Sequence, residues 1–305
     1  MVLSDEPITA VPRDLPLDAD RVRLGEMLFH DVRLSRGNVL ACSSCHVLPE
    51  GGDDNRPRSP GSDGELLDFN APTVFNVALS FRLNWRGNFG RLEEQNEAVL
   101  LDASLMNTTW EELLPKLSGD DAYREAFAAV YASEPAPAHV LDALATFQRS
   151  LTTPDARFDR YLQGERDAIT PDEERGYRLF KDYGCVACHQ GVNVGGNLFQ
   201  RFGIFHDPFS QRSIGTADLG RFTITGEADD RFVFRVPSLR NVAITAPYFH
   251  DGRAKSLEQA ILEMARSQLG RDLSGRETEL IAGFLRTLTG EYRGRPLSDR
   301  AGPSP

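Results

Sequence analysis

Apolar residues recur along much of the chain at the spacing of three to four residues that is typical of amphipathic helices. The clearest case is "AHVLDALATFQRSL" (138–151), where one helical face carries Val140, Leu141, Leu144, Phe147 and Leu151. Capping boxes precede other periodic runs at Thr109, Thr170 and Ser274, because a glutamate follows each of them three residues later. The pattern predicts a mainly α protein with one short strand around "RFTITG" (221–226).

The same segments occur in the same order in the two halves of the chain. "GEMLFHD" (25–31) corresponds to "GYRLFKD" (176–182), and "APTVFNVA" (71–78) corresponds to "VPSLRNVA" (236–243). The second half carries an insertion before "VPSLRN", which has no counterpart in the first half. This order predicts two tandem domains that arose by internal duplication.

A polar stretch in the middle of the chain, "TTPDARFDRYLQGERDAITP" (152–171), is interpreted as the bridge between the two domains. With 305 residues the chain is long enough for two domains of ordinary size. We place the boundaries at 1–164 and 165–305.

Composition narrows the classes of protein that remain. The formal net charge is −11, which argues against a nucleic-acid binder because phosphate contacts need clustered Lys and Arg. No apolar run approaches the roughly 18 residues that a membrane-spanning helix needs. The first twenty residues lack the basic region and apolar core of a signal peptide. An exported protein with this sequence would therefore be a form without its leader.

Two short motifs, "CSSCH" (42–46) and "CVACH" (185–189), use all four cysteines of the chain. A disulfide framework would need a chain richer in cysteine. A thioredoxin-type redox pair does not require the histidine that follows each second cysteine. A structural zinc site would need both pairs gathered together, yet they lie far apart, each in its own sequence context.

Covalent attachment of c-type haem accounts for every position of both motifs. The two thiols bond the vinyl groups of the porphyrin, and the adjacent histidine binds the iron from the proximal side. The sequence therefore predicts two covalently bound c-type haems, attached through Cys42, Cys45, Cys185 and Cys188 and ligated by His46 and His189. Haem of this kind is attached outside the cytoplasm, so we expect a periplasmic protein.

The open face of each haem decides between electron transfer and reaction with a small molecule. Met264 lies in "SLEQAILEMARSQLG", a predicted helix in which a methionine is usually a core residue. A haem that needs a sixth ligand makes ligation by Met264 the favoured interpretation. Aligning Asn241 with Asn76 places Met264 on Val99, which cannot bind iron. One haem would then carry electrons while the other stays open to a substrate.

Two further residues fall at equivalent positions of the repeat. His250, in "APYFHDGRA", is interpreted first as a partner of a haem propionate and second as an iron ligand. Trp85 aligns with it, and an aromatic ring there would either lie between the haems as an electron conduit or serve only in packing.

These segments resemble the bacterial di-haem cytochrome c peroxidases along almost the whole chain. The resemblance rests on "GCVACHQGVNVGG" (184–196), "VPSLRNVAITAPYFHDGRAKSLEQAI" (236–261) and "LIAGFLRTLTG" (280–290). The same superfamily includes oxidases that modify tryptophans on a partner protein. The resemblance implies helical cytochrome c-like domains, a high-potential haem ligated by His189 and Met264, and an N-terminal haem that reacts with hydrogen peroxide.

The resemblance also implies roles for individual residues. Trp85 corresponds to a tryptophan between the haems, and Gln95 to a glutamine near the peroxide-binding face. A calcium ion between the domains would be bound by Asn70, Thr245 and Pro247, the last two through their carbonyls. The implied electron donor is a small carrier protein, a cytochrome c or a cupredoxin, and members of the family are often homodimers.

This sequence departs from the family pattern at two positions. Ser62 stands where many relatives carry a histidine that caps the N-terminal iron until the other haem is reduced. Leu105 stands where the family has its catalytic glutamate, and leucine cannot transfer a proton. Substitute carboxylates for that glutamate are Glu93, Glu94, Glu97 and Asp102. Alternatively, Met106 turns inward and ligates the first iron.

Three functions follow from these residues. The leading one is reduction of hydrogen peroxide to water by electrons from a carrier protein. A second is oxidation of a partner protein, although relatives with that activity tend to carry a tyrosine where Met264 stands. The third is a di-haem electron-transfer or redox-sensing protein without catalysis, which Leu105 favours.

Overall fold

A computed structural model describes residues 6–13 and 15–297. Residues 1–5, 14 and 298–305 lie outside it. They include the start of the first predicted domain, the end of the second, and six of the first twenty residues, where no signal peptide was predicted. The described chain is mainly helical, as predicted. None of its helices is both long and apolar enough to cross a bilayer.

Ten α-helices and four short strands make up the regular structure of the described residues. The helices are α1 Ala19–Phe29, α2 Leu92–Leu101, α3 Trp110–Ser118, α4 Asp121–Tyr131, α5 Pro137–Ser150, α6 Arg157–Leu162, α7 Pro171–Asp182, α8 Phe222–Thr225, α9 Leu257–Leu269 and α10 Gly275–Arg286. The strands form two antiparallel pairs, β1 Phe199–Arg201 with β2 Val233–Arg235, and β3 Glu291–Tyr292 with β4 Arg295–Pro296.

The predicted capping boxes are complete at Thr170 and Ser274, whereas Thr109 caps its helix without the return hydrogen bond from Glu112. Thr109, Thr170 and Ser274 each accept a hydrogen bond from the backbone N–H three residues later, which satisfies a donor that the first helical turn leaves free. The five apolar residues predicted on one helical face are all buried, four of them in α5 and Leu151 at its C-cap.

Each half is built on a pair of helices that meet at a glycine. In the first half α1 packs against α5, and in the second half α7 packs against α10. A Cβ at Gly25 would lie 2.0 Å from the carbonyl oxygen of Ala143, and one at Gly176 would lie 1.9 Å from that of Leu280. The glycines of "GEMLFHD" and "GYRLFKD" are therefore required because the partner backbone fills the space of a side chain.

Two large hydrophobic clusters correspond to the two halves. The first is formed mainly by α1, α3, α4 and α5, and the second mainly by α6, α7, α9 and α10. The stretch 152–171 is not the polar bridge that was expected, because it contains α6, whose Phe158, Tyr161 and Leu162 are buried in the second cluster. Their spacing of three and four residues is that of an amphipathic helix.

Backbone features recur at the same offset of 165 residues as the sequence repeat. Asn76 and Asn241 both adopt the left-handed conformation, with φ of 57° and 60°. The isolated bridge between Leu83 and Phe89 has its counterpart between Tyr248 and Ala254. These correspondences support the internal duplication, which remains a prediction together with the boundaries 1–164 and 165–305.

The insertion of the second half places a short sheet beside the first half. β1 pairs with β2 so that Phe199 lies opposite Arg235, and the Arg235 N–H donates to the carbonyl of Trp85. The strand predicted at 221–226 is wrong: residues 222–225 form α8, a single turn that ends at Gly226 in the left-handed conformation. The extended segment of this region is Val233–Arg235 instead.

Candidate haem sites

The first motif forms a tight turn that holds two thiols and an imidazole together. Cys42–Ser44 is a 3₁₀ turn, and the backbone N–H of His46 donates to the carbonyl of Cys42. His46 Nδ1 lies 3.1 Å from the carbonyl oxygen of Gly52. That contact fixes Nδ1 as the protonated nitrogen and leaves Nε2 as the lone-pair donor. We call Cys42, Cys45 and His46 the first site.

The second motif repeats this geometry with one difference. Cys185–Ala187 is again a 3₁₀ turn, and the His189 N–H donates to the carbonyl of Cys185. Val194 and Pro237 present carbonyls to the ring, although no hydrogen bond of normal geometry forms to the buried Nδ1. We call Cys185, Cys188 and His189 the second site.

Burial sets the protonation states of both sites. It lowers the pKa of His189 to about 4 and also lowers that of His46, so both imidazoles are neutral near pH 7 and can bind a metal. It raises the pKa of Cys42 to about 12 and that of Cys185 to about 11. Since none of the cysteines forms a disulfide and a thiol redox catalyst needs a lowered pKa, the burial argues against a thioredoxin-type function.

One continuous cavity of about 920 Å³ contains both sites. All four cysteines and both motif histidines line it. Its volume is at the upper end of the roughly 300–1,000 Å³ that is usual for ligand and cofactor sites. Paired free thiols, a neutral imidazole beside each pair and a large apolar space together fit two haem groups.

Met264 and Val99, which the alignment of the two halves pairs, both line this cavity. Met264, on α9, packs against a small aromatic cluster formed by Phe202, Phe209 and Phe234. The cavity is therefore lined by a methionine, Met264, in the second half and by a valine, Val99, at the equivalent position of the first half. The two sites are chemically different.

Trp85 lies where the two halves meet. Its indole Nε1 donates to the carbonyl of Asn70 at 2.8 Å, and its own carbonyl accepts from the N–H of Arg235. The ring makes an edge contact with His250, with centroids 6.5 Å apart. Trp85 thus lines the cavity while it is held by both halves.

Gln95, on α2, also lines the cavity and is fixed by Asn84. Its Nε2 donates to the Asn84 side-chain oxygen at 2.6 Å, so its own Oε1 is the atom left to accept a hydrogen bond. The proposed calcium ligands Asn70, Thr245 and Pro247 line the cavity as well. Asn70 donates through Nδ2 to the carbonyl of Arg56, which leaves Oδ1 as its possible ligand atom.

Leu105 and Met106 both line the cavity, and Met106 belongs to the hydrophobic cluster of the first half. Of the substitute carboxylates, Glu93 is paired with Arg149 and Glu97 accepts from the Trp110 indole. Asp102 is the one of the four that lines the cavity, and it accepts hydrogen bonds from Ser104.

Ser62 lies on a loop that is attached to the turn after α2. Its hydroxyl donates to the carbonyl of Ala103 at 2.9 Å, and its N–H donates to that of Ser104. Ser62 does not line the cavity.

His250 has a partner that the sequence did not reveal. Its Nε2 lies 2.7 Å from Asp218, a residue of the insertion, and Asp218 also binds Arg212. Asp218, His250 and Asp251 could together bind a metal ion, but Arg212 already contacts both aspartates and supplies the positive charge. Because the Asp218 carboxylate already contacts Nε2 of His250, a hydrogen bond from that nitrogen to a haem propionate is not supported. That bond was the first interpretation of His250.

Comparison with known proteins agrees with this geometry. A profile of the di-haem cytochrome c peroxidase family matches residues 19–167. The chain is 39% identical to the cytochrome c551 peroxidase of Nitrosomonas europaea over 95% of its own length and 86% of that protein. It is also 39% identical to the cytochrome c peroxidase Ccp of Escherichia coli, covering 94% of this chain but 62% of that longer relative.

A solved structure has the same fold over almost the whole chain. It is the crystal structure of a MauG-like protein associated with microbial copper homeostasis. The TM-score is 0.79, the sequence identity is 31%, and the match covers 96% of this chain and 97% of that one.

Proposed function

The chain belongs to the di-haem cytochrome c peroxidase family, and on that basis we propose that it reduces hydrogen peroxide to water with electrons from a small carrier protein. The observation that carries the proposal is the difference between two sites that share one cavity. Met264 lines the cavity in the second half, and Val99 stands at the equivalent position in the first. With this difference, one site would transfer electrons and the other would bind a small molecule.

Each site would hold one c-type haem, attached through the paired thiols, and the haem iron would supply the redox chemistry. His46 and His189 would bind the two haem irons, and the carbonyl of Gly52 orients His46. Met264, which lines the cavity, would be a further ligand at the second site. A histidine and methionine pair raises the reduction potential, which suits the site that receives electrons from the donor.

Trp85 is proposed to connect the two sites. It lines the cavity, and hydrogen bonds from both halves fix its position: its indole to Asn70 and its carbonyl to Arg235. An aromatic ring held in this way would shorten the gap that an electron must cross between the two sites.

Reduction of one peroxide consumes two electrons and two protons and yields two water molecules. Leu105 cannot deliver either proton, so the chain must use another group or solvent. Asp102 is the candidate, because it lines the cavity and lies on the turn that carries Leu105, whose N–H donates to the Asp102 carbonyl. Gln95 would bind the peroxide through its free Oε1.

Calcium is proposed at Asn70, Thr245 and Pro247, where the two halves meet. The Asn70 N–H donates to the carbonyl of His250, so these segments already lie side by side. The three residues supply at most three of the six to eight oxygen ligands that Ca²⁺ takes, and water would have to supply the others. The periplasm is the proposed location, because c-type haem is attached outside the cytoplasm. The proposed donor is a cytochrome c or a cupredoxin.

The test is stopped-flow mixing of the half-reduced holoprotein with one equivalent of hydrogen peroxide, followed through the haem absorption bands. We expect rapid oxidation of the high-potential haem and consumption of the peroxide. If the reduced haem persists while the peroxide remains, the assignment as a peroxidase is wrong.

A second candidate is a di-haem electron carrier, and Met106 is the observation that favours it. Met106 is only 4% exposed and lines the cavity beside Leu105. If its thioether bound the first iron, both sites would be closed to peroxide.

Electron paramagnetic resonance of the oxidised protein distinguishes the two candidates. A high-spin signal from the first haem supports the peroxidase. Two low-spin haems, one of which becomes high-spin in Met106→Leu, support the carrier.

A further inference from the structure

Arg235 is a buried cation without an acidic partner in the described chain. It is the last residue of β2, it is 7% exposed, and its side chain lines the cavity. Its Nε donates to the carbonyl of Asn84 at 3.0 Å and its Nη1 to that of Val236 at 3.5 Å. Its Nη2 donates no hydrogen bond to a residue of 6–13 or 15–297. Burial lowers the pKa of Arg235 to about 10, which still leaves it charged near pH 7.

A buried charge is costly unless an opposite charge compensates it. Arg240 shows how this chain meets that requirement elsewhere. It is also buried, and it forms an ion pair of 2.7 Å with Asp159, in which both side chains are completely inaccessible. Five acidic residues line the same cavity as Arg235, yet none of those carboxylates forms an ion pair with it: Asp53, Asp63, Glu65, Asp68 and Asp102.

The position of Arg235 indicates where the missing anion belongs. Its N–H holds the carbonyl of Trp85, and two residues further on Pro237 presents its carbonyl to His189. The guanidinium therefore stands on the wall between the two sites, on the segment that borders the second. In the repeat, Arg235 occupies the position of Asn70, so the charge is present in one half only.

We propose that Arg235 is the internal counter-ion of a propionate of the haem at Cys185, Cys188 and His189, and that its charge raises the reduction potential of that haem. This inference rests on the proposed haem binding, and it adds a residue that sets the reduction potential of the haem that receives electrons from the donor. Reduction lowers the positive charge on the iron by one. A fixed cation that is shielded from water stabilises the reduced form, and it also compensates a propionate that would otherwise repel the electron.

The test is a potentiometric titration of both haems in the holoprotein, with Arg235→Gln compared with Arg201→Gln. Arg201 lies on the paired strand β1 and is exposed, so its replacement removes the same charge from the same sheet but outside the cavity. For Arg235→Gln we expect the equilibrium constant for reduction of the second haem to fall at least tenfold, about 59 mV for one electron. Arg201→Gln should leave both potentials unchanged.

Arg235→Lys tests the charge separately from the shape of the side chain, and it serves if the glutamine variant does not fold. It keeps a cation but loses the planar fork of the guanidinium, so its second-haem equilibrium constant should fall by less than that of Arg235→Gln. A fall in Arg235→Lys as large as that in Arg235→Gln would overturn the proposal. So would unchanged potentials, or a shift of the first haem alone, in a fully haem-loaded Arg235→Gln. Because the titration needs no peroxide, it can succeed even if the peroxidase assignment fails.

Discussion

Leu105 is the residue whose replacement we expect to increase the proposed peroxide reduction most. It is half-buried and lines the cavity, at the position where the family resemblance implies a catalytic glutamate. A carboxylate there could shift a proton between the peroxide oxygens, which is general acid–base work that typically contributes about 10²- to 10⁴-fold in rate. We expect Leu105→Glu to increase the rate of peroxide reduction by a factor within that range.

The control for this gain is Leu101→Glu. Leu101 lies four residues earlier, is 43% exposed and does not line the cavity. A glutamate at this position therefore adds the same charge outside the site. Steady-state peroxide consumption at equal haem content measures both variants. Equal rates for Leu105→Glu and the unaltered protein would show that proton transfer at this position does not limit the reaction.

Asp218 is a second residue whose role can be measured, because its contribution to the free energy of unfolding depends on pH. Burial alone would raise its pKa, but hydrogen bonds from Arg212 and His250 outweigh it and lower the pKa to about 2. A lowered carboxyl pKa stabilises the fold above the unfolded pKa of 3.8, and the effect is lost as the pH falls towards 2. We expect Asp218→Asn to cost about 2 kcal/mol at pH 6 and clearly less at pH 3.

Urea unfolding at both pH values measures this difference. The matched substitution is Asp272→Asn, which removes a carboxylate from an exposed pair with Arg266 and should cost under about 1 kcal/mol at either pH. A loss in Asp218→Asn that is the same at pH 3 and pH 6 would contradict the assigned ion pair.

The sequence predicted residues whose role is local or repeated, and it missed those that depend on distant partners. The caps at Thr170 and Ser274 follow from a glutamate three residues away. Comparison of the two halves pairs Met264 with Val99, and ligation by Met264 stays a prediction. The pairing of His250 with Asp218 joins residues 32 positions apart, one of them in the unrepeated insertion. Neither spacing nor periodicity carries that information.

At the scale of elements, each half depends on one close crossing of two helices. Gly176 of α7 lies so near α10 that a Cβ would be 1.9 Å from the carbonyl oxygen of Leu280. A backbone atom cannot rotate away, so the helices must separate and their packing is lost. We expect Gly176→Ala to destabilise the protein by at least about 1–3 kcal/mol, the usual cost of overpacking.

Gly283→Ala is the matched control, because Gly283 lies on α10 and its Cβ would meet only the Glu173 side chain at 3.8 Å. Alanine is the better helix former, so this variant should gain up to about 1 kcal/mol. Thermal unfolding followed by circular dichroism compares the two. A neutral Gly176→Ala would show that the helices do not need this close approach.

The errors in predicting elements have a common physical origin. "RFTITG" contains β-formers, but Gly226 ends a single helical turn there, and the extended segment is supplied by Val233–Arg235 through its pairing with β1. α6 was overlooked because charged residues surround its three buried apolar side chains. In both cases a partner distant in sequence decides the outcome.

At the scale of the whole molecule, Thr153 ties the two halves together. It is completely buried, and its hydroxyl accepts hydrogen bonds from Asn76 at 2.7 Å and from Asn241 at 3.0 Å. These asparagines are equivalent in the repeat, so one side chain joins the same position of both halves. Asn193, which lines the cavity, also donates to the carbonyl of Asn76, so the junction adjoins a residue of the cavity lining.

Thr153→Val keeps the shape of the side chain but leaves two buried amide donors without their acceptor. Each such group costs about 1–3 kcal/mol, so we expect a lower unfolding midpoint in urea for the whole protein. Thr152→Val is the control, because the Thr152 side chain is half-buried and makes no hydrogen bond within the described chain. Unfolding should be followed both by circular dichroism and by the absorption of each haem. If both haem signals shift together, Thr153 couples the halves; if only one shifts, the two halves unfold independently and the junction holds one of them alone.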